Sequence, residues 1–204
     1  CKNTTIPSGV TAIGPHAFIN CSGLTSIDIP NGVTRIESGA FEGCSGLTSA
    51  TIPNSVTWIG GYAFSSCYNL TSLSIPNSVT EIGDRAFYGV DLLESQEDGL
   101  VYIGRVVLYK GSMPEDTDIT IKEGTKGIAS SAFSGCIGLT SIIIPNSVES
   151  IGNDAFRDCT GLTSITLPNN IKNISGNAFA NCNQLTSIIS EVEDPSTISH
   201  YSAY

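Results

Sequence analysis

The chain has 204 residues, 40% of them hydrophobic and only 14% charged, which supplies enough apolar content for a continuous core. Nine Lys and Arg stand against nineteen Asp and Glu, a net charge of −10 that argues against nucleic acid and anionic lipid, since both call for a basic stripe. No stretch approaches the roughly 20 apolar residues of a membrane helix, and the aliphatic run Ile142-Ile143-Ile144 is closed by Pro145, so direct membrane insertion is not expected.

No secretory leader opens the chain, which begins inside a repeat and reads as a mature or excised piece of something longer. Cys1 falls in register with a repeated Leu, and both a lipidated mature N-terminus and a simple cut site fit it. The first complete row starts at Leu24. Leu24-x-x-Ile27-x-Ile29 alternates at its end and predicts a short strand, which Pro30-Asn31-Gly32 stops. Val33-x-x-Ile36 predicts a second short extended segment. Ala40-Phe41-x-x-Cys44 sets Phe and Cys three apart, the spacing of one helical turn, and Ser45-Gly46 turns the chain into the next row. That row repeats the pattern as Leu47, Ile52, Pro53, Val56, Ile59, Ala63, Phe64 and Cys67.

The period is 23. Phe recurs at 18, 41, 64, 87, 133, 156 and 179, and Cys keeps the same phase at 21, 44, 67, 136, 159 and 182. One row cannot bury its apolar positions alone, but stacked rows can, with strands pairing in parallel from coil to coil. The Phe residues are therefore expected to form one buried column. The template lapses once, where Val90, Lys110 and Met113 stand at Cys, Phe and Cys positions. Leu100-Val101-Tyr102-Ile103-Gly104-Arg105-Val106-Val107-Leu108-Tyr109 there predicts an antiparallel hairpin turning at Gly104-Arg105. Such a hairpin would project from the stack or cap its side, and serves either to shape a partner site or only to join two sub-arrays. The expected organisation is N-terminal repeats over 1–92, an irregular coil with the hairpin over 93–118, C-terminal repeats over 119–190, and a cap or stub over 191–204.

The row L-T-S-I-x-I-P-N-S-V-T-x-I-G-x-x-A-F-x-x-C, seen over Leu70 to Phe87, Leu139 to Cys159 and Leu162 to Cys182, resembles the BspA-like leucine-rich repeats, also called the Treponema pallidum type. The resemblance implies an α/β leucine-rich-repeat solenoid, a right-handed superhelix of 23-residue coils with parallel strands, here interrupted by a hairpin insert. It further implies a non-enzymatic interaction or adhesion module of a secreted or surface-attached bacterial protein. Its partner would be a protein or glycan ligand on host or neighbouring cells. The alternative is a structural spacer stalk that presents another domain.

No close C-x-x-C pair suggests a metal site, so the Cys positions are expected to be free thiols packed as small hydrophobes, with disulfides between adjacent coils the competing possibility. His16 and His200 are the only histidines, neither with a triad pattern around it, and no catalytic residue is assigned. The acidic runs Glu115, Asp116, Asp118 and Glu191, Glu193, Asp194 lack a calcium-loop spacing and read as solvated loops. No phosphate-binding glycine loop is present, and no metal or cofactor is expected. The Thr column 25, 48, 71, 140, 163, 186 could mark a flat hydroxyl face, although β propensity also accounts for it. Ligand-binding candidates are Trp58 and Tyr62 at variable positions, with Arg35, Glu81 and Arg85 in the same columns, and Tyr102, Arg105, Val107 and Tyr109 of the hairpin.

Overall fold

The computed structural model describes residues 4–192 except 91, 92 and 94. Cys1, His200 and most of the expected C-terminal cap lie outside the described residues. The chain forms two compact units, the first running to Glu97 and the second starting at Asp98.

Each coil of the first unit contributes two short strands. The Leu-x-x-Ile segments give β2 (Ser26–Asp28), β4 (Ser49–Thr51) and β6 (Ser72–Ser74), paired in parallel with Ile27, Ala50 and Leu73 in one column. The Val-x-x-Ile segments give β1 (Ala12–Ile13), β3 (Arg35–Ile36), β5 (Trp58–Ile59) and β7 (Glu81–Ile82), again parallel. The second unit repeats this with β10 (Thr117–Thr120) on β12 (Leu139–Ile143) and β14 (Ser164–Leu167) on β16 (Ser187–Ser190). Its other sheet runs β15 (Asn173–Ile174), β13 (Ser150–Ile151), β11 (Gly127–Ile128), β9 (Val106–Lys110), β8 (Gly99–Ile103).

Each unit is thus a solenoid of parallel strands, as the 23-residue period requires. The expected helical turn is not there. Through Gly39–Cys44, alternate N–H groups leave the coil. Gly39, Phe41 and Gly43 donate to the carbonyls of Gly61, Ala63 and Ser65 in the next coil at 2.8–2.9 Å, while Ala40, Glu42 and Cys44 donate three residues back. Half the donors a helix would need are therefore used between coils. Left-handed backbone at two positions per coil also bars a helix. One position precedes the Ala-Phe pair, with His16, Gly39, Tyr62, Arg85, Ser131, Asp154 and Asn177 at φ from 49° to 63°. The other precedes Cys, as at Asn20, Gly43 and Asp158.

The core is a set of columns. Phe18, Phe41, Phe64 and Phe87 stack with ring centroids 5.1, 5.1 and 5.7 Å apart, and Phe133, Phe156 and Phe179 stack at 5.2 and 5.4 Å. The thiols form a second column. Cys44, Cys67, Cys159 and Cys182 donate to the carbonyls of Phe18, Phe41, Phe133 and Phe156 in the preceding coil, at 2.9–3.2 Å. Those four and Cys136 are free thiols, but Cys21 is disulfide-bonded, contrary to the expectation of free thiols throughout. Register alone does not set Cys21 apart, since all six repeated Cys share one phase of the 23-residue period. The Thr column is explained in the same way, since Thr48, Thr140 and Thr186 donate their hydroxyls to the carbonyls of Thr25, Thr117 and Thr163.

Where the template lapses, the hairpin forms. β8 and β9 pair antiparallel from Gly99↔Lys110 to Ile103↔Val106, leaving Gly104 and Arg105 as the turn. Gly104 has φ 60°, which suits the first central position of a type II′ turn. The hairpin does not project from its unit: β9 pairs in parallel with β11, taking the place of a coil's second strand. The Phe place is taken one residue early, with Tyr109 6.2 Å from Phe133, ring to ring. Val90 replaces the Cys of its row and is fully buried.

Candidate interaction surfaces

In the first unit, the variable columns carry the exposed aromatics. The Trp58 side chain lies across the backbone of Gly60, where a Cβ would come 2.7 Å from the indole, and the Arg35 guanidinium sits 4.0 Å over its ring. Arg35 is oriented for this by Glu37, 3.0 Å away. Trp58 is therefore half-buried and covered on one face, a packed cation–π pair rather than a bare platform. Tyr62 is 37% exposed and its hydroxyl accepts from Arg85 at 3.4 Å. Tyr62 and Arg85 are both held in left-handed backbone, at φ 57° and 49°. Tyr68 and Tyr88 are each 60% exposed. No ring contact joins Trp58 to Tyr62 among the described residues.

The hairpin candidates divide by burial. Val107 is 0% exposed and belongs to the core, so the expectation of a ligand contact there fails: β9 enters the ladder beside β11, opposite Ile128, and both Val106 and Val107 are buried there. Tyr109 is half-buried against Phe133, and burial raises its phenol pKa, with the Cys136 and Asp98 charges adding to the shift. Tyr102 is half-buried, its hydroxyl accepts from the Lys122 N–H at 3.1 Å, and the Lys122 ammonium lies 4.4 Å over its ring. Arg105 is half-buried at the turn, and its carbonyl accepts from the Lys126 N–H at 2.7 Å.

Charge is organised along one column of the second unit. Arg105, Lys126, Glu149 and Lys172 follow one another there, where the first unit has Thr34, Thr57 and Thr80. Glu149 is bonded by the ammonium groups of Lys126 and, at 2.6 Å, Lys172, and those two bonds hold its carboxyl below the usual carboxylate range. Asp118 of the acidic run is also held low, by hydroxyls of Ser141 at 2.6 Å and Thr140 at 3.0 Å. Among the described residues no group of three His, Cys, Asp or Glu side chains is arranged to hold a metal, and no helix is long and apolar enough to cross a membrane.

The BspA type leucine rich repeat region matches residues 1–113 and 101–203, in six copies. The chain belongs to the BspA-type leucine-rich repeat family. A leucine-rich repeat protein from Bacteroides ovatus is 35% identical over 95% of this chain, with a TM-score of 0.45, and the chain spans 46% of that protein's length. A leucine-rich repeat protein of T. pallidum is 25% identical, covering 92% of this chain and 69% of its own, with a TM-score of 0.35. A leucine rich cell surface protein from Faecalibacterium prausnitzii is 25% identical, covering 98% of this chain and 75% of its own, with a TM-score of 0.39. No curated protein matches the chain significantly.

The turn columns of the BspA-type coils, with their left-handed backbone, are what sequence reading missed. Their signal was available at the position before Cys, or before Val90 in one coil, where all but Ser66 (Asn20, Gly43, Gly89, Gly135, Asp158 and Asn181) are the residue types that tolerate that backbone. At the position before Ala-Phe, Tyr62 and Arg85 hid it.

Proposed function

We propose that this chain is a non-catalytic protein-interaction module of a secreted or cell-surface protein, binding a ligand on host or neighbouring cells. The observation that carries this reading is the pair Tyr62 and Arg85, large exposed side chains held at φ 57° and 49°. A left-handed residue with a Cβ costs roughly 1–2 kcal/mol, and Gly, Asn or Asp would lower that cost. The same column uses Gly39, Asp154 and Asn177 in three other coils and the smaller His16 and Ser131 in two more, so Tyr62 and Arg85 are its largest side chains. Strain retained for an exposed aromatic and a guanidinium is an argument for use rather than for folding, and these are the residue types that anchor interfaces. The cell-surface relative supports the location. The test is saturable binding of the chain to an array of matrix proteins and glycans, against Tyr62→Asn with Arg85→Asn. Binding lost in the double variant, with thermal stability retained or raised, is the expected result. A chain that binds nothing on the array is left as the spacer stalk.

A further inference from the structure

The hairpin turn carries a small charged depression that the regular coils do not explain. Gly104 and Arg105 line it together with Lys122, Glu123, Gly124 and Thr125, and its volume is about 200 Å³. Its walls are held from several sides. The Lys126 N–H bonds the Arg105 carbonyl, and the Lys122 N–H bonds the Tyr102 hydroxyl. The Gly124 N–H donates to Ser147 at 3.0 Å, and the Thr125 hydroxyl, in a residue only 1% exposed, donates to the Lys122 carbonyl at 2.7 Å. A recess built this way is preorganised, so little ordering cost remains for a ligand group that enters it.

Its charges are unspent. Farther along the column, Lys126 and Lys172 are both engaged by Glu149. Arg105 and Lys122 have no carboxylate partner among the described residues, although the chain as a whole carries −10. The Tyr102 ring beneath its ammonium orients Lys122. A guanidinium suits a carboxylate bidentately.

We infer that this depression receives a carboxylate side chain from an acidic, mixed-charge segment of a partner protein, with Arg105 and Lys122 holding the carboxylate and Glu123 taking a neighbouring cationic group. The inference rests on the interaction reading above and deepens it. A sulfated glycan fits less well. It would need a longer run of free cations, whereas the next two are committed to Glu149, and Glu123 repels it. Nor is the face of Tyr102 under Lys122 open for a sugar ring to stack on.

The test uses the full chain, labelled with 15N, and three probes: an acetylated and amidated peptide of repeating Gly-Glu-Lys, the matched Gly-Gln-Lys peptide, and a heparin hexasaccharide. The Glu peptide should shift the amide resonances of Gly104, Arg105 and Gly124, and the Gln peptide should not. Arg105→Gln and Lys122→Gln should each weaken the Glu peptide by about three- to tenfold, while Arg157→Gln leaves it unchanged. Equal shifts with the Gln peptide, no shifts, or shifts with heparin alone overturn the assignment. The titration involves neither Tyr62 nor Arg85, so its failure is read separately from failure of the first-unit surface. A partner that binds the Arg105→Gln protein undiminished likewise sinks this site and leaves the interaction reading standing.

Discussion

Single side chains in this protein act through a column, so a substitution is felt by the coils on either side. Phe64 is fully buried between Phe41 and Phe87, and Phe64→Ala should cost about 3–5 kcal/mol in a urea titration. The strained turn position works in the opposite direction. Arg85→Gly removes a Cβ from a φ of 49° at an exposed site and should raise stability by about 0.5–1 kcal/mol, measured by thermal unfolding. The thiols are chemically quiet for a physical reason. Burial raises Cys67 and Cys159 to about 12, so almost no thiolate exists at neutral pH. In the folded protein both should resist iodoacetamide at pH 8, and both should be labelled fully once denatured, as mass spectrometry will show.

At the scale of the element, the hairpin and the charged column set apart the second unit. Gly104→Val forces a β-branched residue into φ 60° and should destabilise the turn by about 1–2 kcal/mol, seen as faster amide exchange in β8 and β9. The Lys126–Glu149–Lys172 ladder ties neighbouring coils together. Because Glu149 has its folded pKa depressed, its contribution is fully present above the unfolded carboxylate pKa and is lost as pH falls through the lower, folded value. Glu149→Gln should therefore cost about 1 kcal/mol at pH 7. That difference from the parent protein should shrink toward zero below the usual carboxylate range, as unfolding curves at several pH values would record.

Over the whole molecule, the bonds that matter run from each coil to the next. Thr hydroxyls, Cys thiols and alternate turn N–H groups all find partners one coil away. A solenoid of this kind has nearest-neighbour energetics. In hydrogen exchange, Phe156→Ala should lower protection in the coils bearing Phe133 and Phe179 while leaving β3 and β5 as they were. Uniform loss of protection throughout the chain would mean that cooperativity is not local.

The 23-residue period, read without any structure, determined the parallel solenoid, the buried Phe column and the place of the hairpin with its Gly104-Arg105 turn, because burying one face per coil leaves few alternatives. It did not determine the turn backbone. Phe and Cys three apart suit a helix, and only the neighbouring coil, by taking alternate N–H groups, converts that segment into a staircase of turns. Nor could spacing separate Val107 from Arg105 as surface candidates: β9 entering the ladder beside β11 buries the first and leaves the second at the rim of a depression. The disulfide at Cys21 was equally out of reach, since the period puts all six repeated Cys in one phase and does not say which of them is paired. Those outcomes depend on which atoms of adjacent coils meet, and that contact exists only once the coils are stacked.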